Sequence, residues 1–494
     1  MLPVVPLGET HLPQNPRFVL EPPHCRRDRN PVLLLHLERI PVAVSSPVTR
    51  RIFLDCTRTF LTRVHTGIER MVSGLLHAAP ELGANFQAEC IPLLFRTSTG
   101  FEALSEQAVH ERFRPRDPAA VGRLTWRHRL RRELDRTGLI EWARSTRNTL
   151  DTVAETTLSP VRAWLPAKVD FRPGDLIVLL DVNVRSRYWA DLQRARAAGA
   201  KVCLVVCDLI PLSHPQVVDA GVVNDFSRWW RNAAQTVDYY LNISESTWRE
   251  VQSHLPSVLG PDLAARARGS WFRLGVGLHT MSARSTCRDE IQQAFRKQNG
   301  RPTYVTVGMM SPRKNHALAL DALDRLWEHD SAPALVIVGK YGWRCEEIAQ
   351  RIRNHREYGH RLFWFESVTD DELDYCYRHA TATLTTSFAE GFNLPIVESL
   401  SRGTPVLAAD IPTHREVAGS YAAFFSPHDP AALAEVLMQP EAALRRQQVL
   451  SPATFTWPDW NASCHEFLVR LLDLDADARH EQATIAPVPS RRAA

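Results

Sequence analysis

Two successive cycles of short apolar runs, bounded by turn formers and separated by helix-compatible segments, constrain this chain more than any other feature. The first cycle opens at Arg51-Ile52-Phe53-Leu54-Asp55 and returns at Leu176 to Leu180, Val202 to Val206 and Tyr239 to Ile243. The second runs through Tyr304-Val305-Thr306-Val307-Gly308, Leu335 to Gly339, Leu362 to Phe365 and Ala382 to Thr385, ending near Pro405-Val406-Leu407. Runs this short cannot cross a bilayer, and their alternation with helices predicts parallel sheets in an α/β fold. With 494 residues, 33 prolines and 22 glycines, at least two domains are expected, leaving a cleft between them.

Outside the cycles the sequence changes character. Residues 1–50 repeat proline without periodicity and read as an irregular extension. An insertion around 105–165 carries eleven arginines between Arg112 and Arg147 against Asp117, Glu133, Asp135 and Glu141, with Trp126, Leu130 and Leu134 at helical spacing. Such a stretch suits anionic lipid head groups; a solvated helix or a clamp over the cleft fits it equally well. The run His465 to Leu472 predicts a closing helix that ends near Leu474, before a disordered tail over 481–494. No secretory signal opens the chain, so a cytoplasmic location is expected, with the inner membrane face as a peripheral site. The nine cysteines are scattered without metal-like spacing and predict reduced, mostly buried thiols. A net charge of +4 is too small for this length to argue for a nucleic-acid partner.

Chemistry concentrates in the second cycle. After the run at Ala382 to Thr385 comes Thr386-Ser387-Phe388-Ala389-Glu390-Gly391-Phe392-Asn393-Leu394-Pro395-Ile396-Val397-Glu398. Pro395 suits a first helical turn, so a strand enters a loop whose N–H groups, with the helix dipole, fit a diphosphate or sugar hydroxyls. Glu398, one turn into that helix, can accept hydrogen bonds from a ribose diol. Gly308-Met309-Met310-Ser311-Pro312-Arg313-Lys314-Asn315-His316 directly follows another strand and forms a glycine-led loop that carries Arg313 and Lys314. No pair of carboxylates sits at a convincing strand end to hold a divalent ion.

These segments resemble the large retaining GT-B glycosyltransferase family, of the family 4-like type, that includes bacterial mannosyltransferases of surface polysaccharide synthesis. Glu390 and Glu398 match its pair of glutamates separated by seven residues, and the 308–316 segment its glycine loop. The resemblance covers roughly 51–474 and is most specific in the second half. It implies GT-B architecture: two Rossmann-like domains facing a cleft, an acceptor domain over 51–285, a nucleotide-sugar domain over 286–455, and a segment over 456–480 whose helix returns to the first domain. It assigns Glu390 to the donor sugar, Glu398 to the ribose and Lys314 to the leaving diphosphate, with Asp208 reaching across the cleft toward acceptor or sugar. Gly67, Gly308, Arg313, Gly339, Lys340, Val368, Gly391, Phe392, Asn393 and Leu394 complete the implied donor site, and Asp370 stands there either beside the base or as a helix N-cap. Met309 stands where the family often has arginine, Cys207 where it has histidine, and Asn393 where it has glycine. Arg313 therefore supplies a second cation, or the site works with one. The implied reaction is metal-free transfer of a sugar, mannose favoured, from a nucleotide sugar, GDP-mannose favoured, to a glycan or lipid-linked acceptor, with no other cofactor. A catalytically silent nucleotide-sugar-binding protein remains the alternative.

Overall fold

The computed structural model describes residues 50–62, 67–113, 168–183, 186–277 and 287–485. The expected N-terminal extension, the arginine-rich stretch beyond Phe113 and the end of the expected tail lie outside the described residues. The described part is α/β, with two doubly wound, Rossmann-like sheets. The first contains β1 (Arg50–Asp55), β2 (Ala88–Arg96), β3 (Gly100–Ala103), β4 (Leu176–Leu179), β5 (Lys201–Val206), β6 (Tyr239–Asn242) and β7 (Arg268–Trp271), in the order β3-β2-β1-β4-β5-β6-β7. Every pair is parallel except β2 with β3. The second contains β8 (Thr303–Val307), β9 (Ala334–Val338), β10 (Leu362–Phe365), β11 (Ala382–Thr385), β12 (Val406–Ala409) and β13 (Ala422–Phe425), all parallel, in the order β10-β9-β8-β11-β12-β13.

Strand order reverses between β1 and β4 and again between β8 and β11. Loops leaving the carboxyl ends of strands diverge at such points and open a crevice. The second reversal sets the two sequence motifs side by side: Gly308 to Lys314 follows β8, Thr386 to Asn393 follows β11, and these strands pair directly.

Four strands carry no clear signal in the sequence. β2 contains Pro92, which counts against a strand inside a sheet, and β3 is a short edge strand turned back by a hairpin. β7 reads Arg-Gly-Ser-Trp, too polar to register as a run; its Gly269 is needed because a Cβ there would come within 2.5 Å of the Trp248 ring. β13 is another short edge strand. The arginine-rich stretch thus enters after a hairpin and the helix Glu106–Phe113.

One apolar cluster draws on both sheets. Ile52, Leu54 and Val178 meet Met71 and Leu75 of the helix Gly67–Ala84, Ile396 and Val397 from the second half, and Cys464, Phe467 and Leu471 of the closing helix. That helix spans Trp460–Ile485 and runs past the expected end at Leu474. Apolar periodicity does fade there, but the next residue, Asp475, is buried, pairs with Arg50 and Arg479 and accepts from the Tyr239 hydroxyl at 3.0 Å. Buried ionic contacts extend the helix where hydrophobic spacing no longer predicts it. The cysteines from Cys56 onward are unpaired, all buried except the half-buried Cys207 and Cys287.

Candidate active site

The loops after β8 and β9 approach at backbone distance. Gly308 takes φ +143°, and a Cβ there would lie 2.8 Å from Lys314 Cε, so the glycine clears a path for the lysine side chain. At Gly339 a Cβ would fall 1.7 Å from the Gly308 carbonyl oxygen. Gly308 N–H donates to Val338 O and Met310 N–H to Lys340 O, each at 2.9 Å. The loops after β8 and β11 are joined too: Phe388 N–H donates to Arg313 O at 3.1 Å, and Thr386 Oγ1 to Lys314 O at 2.7 Å.

This lacing delivers two cations to one carboxylate. Lys314 Nζ lies 2.7 Å from Glu390 Oε1, while the Arg313 guanidinium pairs with Oε2 and donates to Ala389 O at 3.2 Å. Arg313 thus brings a second positive charge to the site in a chain that has Met309 after its glycine. Lys314 is enclosed in this cluster, with 10% of its side chain exposed. Burial alone would raise the Glu390 carboxyl; Arg313 and Lys314 outweigh it and hold the group well below the usual carboxylate range. Burial, opposed by Glu390 and aided by Arg313, lowers the Lys314 ammonium.

The first half closes on the same loop. A Cβ at Gly391 would lie 1.8 Å from Cys207 O and 3.2 Å from Asp208 Cβ, so only glycine permits the contact. Gly391 O accepts from Ser244 Oγ at 2.7 Å and Thr247 Oγ1 at 3.2 Å. Asp208 accepts from Ile210 N–H at 3.2 Å, and burial, opposed by Arg313, raises its carboxyl. On the other flank, a Cβ at Gly67 would touch Leu394 Cδ1 at 3.6 Å.

Asn393 adopts φ +77°, the left-handed conformation that favours glycine and that asparagine tolerates best among the others. Its side chain turns inward, donating to Thr385 Oγ1 at 2.7 Å and to His414 Nε2 at 2.9 Å, while His414 Nδ1 donates to Ala409 O at 2.8 Å. Burial pushes His414 down to about 4, so it is neutral, consistent with that tautomer. Phe392 and Leu394 are buried in the shared apolar cluster, which leaves their backbone for any polar ligand.

Glu398, in the helix Leu394–Leu400, is also enclosed. Oε2 accepts from the Tyr377 hydroxyl at 2.7 Å and Oε1 pairs with Arg70, whose Nη2 lies 3.2 Å from Asp370 Oδ1. Half-buried Val368 precedes this corner. Asp370 is not the N-cap of the helix Asp370–His379: Thr369 fills that position in a capping box with Glu372. Arg70 and Tyr377 are the residues that sequence reasoning misses. Arg70 stands in the visible Gly67-Ile68-Glu69-Arg70 turn, but its partners lie about three hundred residues away. Arg112, counted with the lipid-facing arginines, is used internally: it donates to the carbonyls of Thr59 and Phe60 at 2.7 Å and pairs with Glu69 at 3.3 Å. Among the described residues no group of three or more His, Cys, Asp or Glu could hold a metal ion, and no helix is long and apolar enough to cross a membrane.

Two Rossmann-like halves joined at a crevice, with glycine-cleared loops, paired cations and two glutamates at a topological switch point, make the GT-B arrangement. Residues 287–445 match the family described as glycosyl transferases group 1. Over 313 residues, 62% of the chain, it is 29% identical to the serotype-specific mannosyltransferase WbdA of Escherichia coli, and over 137 residues, 27% of the chain, 33% identical to O-antigen chain mannosyltransferase B of the same species. These matches cover 38% and 35% of those proteins, so the chain spans little more than a third of the curated relatives it matches. The Anabaena protein HepE, solved in complex with UDP-glucose, superposes with a TM-score of 0.48 at 14% identity, over 88% of this chain and 100% of that one.

Proposed function

We propose that this chain is a retaining, metal-independent hexosyltransferase that moves a sugar, mannose favoured, from a nucleotide sugar to a glycan or lipid-linked acceptor in surface polysaccharide synthesis. The observation that carries this reading is the convergence of Arg313 and Lys314 on Glu390 beside Asp208 and Gly391, at the switch point of the second sheet. The mannosyltransferase names of the similar proteins favour GDP-mannose as donor.

In this reading the donor diphosphate lies along the Gly308 and Glu390–Leu394 loops and draws Lys314 and Arg313 away from Glu390. The bond from the anomeric carbon to the diphosphate oxygen breaks, its electron pair leaving with the diphosphate against the two cations. The acceptor hydroxyl forms the new bond on the face just vacated, which retains configuration, and its proton passes to the departing oxygen. Released from its cations, Glu390 stabilises the positive charge developing at the anomeric centre. Asp208, held by Ile210 N–H, faces this point from the acceptor side.

The test is a donor panel of GDP-mannose, UDP-glucose and dTDP-sugars assayed with lipid-linked glycan acceptors and chelator present, the product anomer read by NMR. Transfer with retention supports the reading; transfer that needs a divalent ion removes its metal-free part. Tight binding without turnover would leave a nucleotide-sugar sensor instead. For a lipid-borne acceptor, the arginines beyond Phe113 would supply contact with anionic head groups. Liposome co-sedimentation indifferent to lipid charge and salt would remove that contact.

A further inference from the structure

Glu398, the carboxylate read above as the ribose ligand, is covered. Its side chain is 4% exposed, and both oxygens are engaged: Tyr377 donates to one at 2.7 Å, and the Arg70 guanidinium grips the other. The two partners differ in kind. Tyr377 belongs to the same half and is fully buried, so it orients the carboxylate whether or not a ligand is present. Arg70 comes from the helix Gly67–Ala84 of the first half, keeps 30% of its side chain in solvent, and reaches across the crevice to Glu398 and, at 3.2 Å, to Asp370. A planar guanidinium bridging two carboxylates offers the donors a ribose diol would offer, in charged form.

We propose that Arg70 is an internal competitor for the ribose site: it closes the crevice over Glu398 in the free protein and must leave that carboxylate before a nucleotide's ribose can bind. This rests on the reading of Glu398 as the ribose ligand. Three features support it. Arg70 is the covering group with a route to solvent, its second anchor Asp370 is 40% exposed, and both anchors lie on the opposite half, so withdrawing the first half by a small distance uncovers the carboxylate. Nucleotide affinity is then set partly by the strength of an ion pair that must break before the ribose reaches Glu398.

The experiment is calorimetry of guanosine, uridine and thymidine, and of their diphosphates, against wild type, Arg70→Ala, Asp370→Asn and Glu398→Gln. For the base that wild type prefers, Arg70→Ala binds the uncharged nucleoside about tenfold more tightly, as expected on removing one charge-assisted competitor. Asp370→Asn, which loosens Arg70 without touching Glu398, shifts affinity the same way by less and serves should Arg70→Ala fold poorly. Unchanged or weaker nucleoside binding in both variants overturns the competition and makes Arg70 a structural neutraliser. If wild type binds no nucleoside diphosphate, or Glu398→Gln leaves nucleoside binding intact, it is the ribose assignment that fails, and the proposal with it.

Discussion

Lys314 and Glu390 share a buried ion cluster, so neither can be changed without stranding charge on the other. Lys314→Ala should therefore destabilise the protein, by about 3 kcal/mol, at the low end for a broken buried pair because Arg313 still faces Glu390. Urea midpoints check this, and a variant as stable as wild type would mean that Arg313 and solvent compensate Glu390 without the lysine. Glu390→Gln tests the chemistry instead. It frees Lys314 and Arg313 for a diphosphate, so nucleoside diphosphate affinity should hold or rise while turnover falls by roughly a hundredfold or more. Glu398→Gln should do the reverse, weakening nucleotide binding and sparing turnover at saturation. Calorimetry paired with a transfer assay separates the two, and an exchanged pattern would reverse the assignments. Both glutamates were legible in the sequence because their spacing along one loop and helix is itself the motif. Arg70 was not, since 328 residues separate it from Glu398 and no local pattern records a contact made only by folding.

At the scale of the element, the strands visible in advance were those whose both faces are buried, such as Leu176–Leu179 and Ala334–Val338, where continuous apolar runs are required. β7 escaped because every residue of Arg-Gly-Ser-Trp is only half-buried, while β3 (Gly-Phe-Glu-Ala) and β13 (Ala-Ala-Phe-Phe), though mostly buried, lack the β-branched residues that mark a strand; the closing helix outran its hydrophobic pattern through the ion pairs of Asp475. The loop before the helix Leu394–Leu400 shows how a motif departure can be conservative in backbone terms. Asn393 meets the same demand for positive φ as glycine and adds two hydrogen bonds from a buried side chain. Asn393→Gly should lose those bonds but keep the turn, whereas Asn393→Ala loses the bonds and adds left-handed strain of about 1 kcal/mol. Alanine should thus be the less stable of the two in denaturant titration. Equal stabilities would show that the loop relaxes out of the left-handed region when the side chain goes.

The two described halves form one compact unit, because they share an apolar cluster and exchange caps. Glu416 of the second half accepts from Glu245 N–H at 2.6 Å and Ser246 N–H at 2.8 Å, closing the first turn of a helix in the first half. Trp460 fills space that only Gly74 and Gly275 leave open. Within that body the first sheet's reversal point carries a buried carboxylate pair. Asp55, ending β1, accepts from Thr57 N–H at 3.1 Å and from the hydroxyls of Thr57 and Tyr188, while Asp181 beside it accepts from Thr59 N–H at 2.7 Å. Burial, with Asp181 adding like charge, raises the Asp55 carboxyl from its ordinary 3.8 to about 7, and its hydrogen bonds only partly offset this. The folded protein therefore keeps a proton that the unfolded chain has already released between those values, so stability falls as pH rises through that window and levels off above it. Asp55→Asn keeps the side-chain shape and the acceptor for Thr57 but cannot titrate. Relative to wild type, the variant should be no better at pH 5, gain as pH rises to about 7 and gain no more above it, on the order of 2 kcal/mol in all. Urea midpoints measured across that range decide it: parallel profiles for the two proteins would mean that Asp55 is ionised throughout and that Asp181, not Asp55, holds the shared proton.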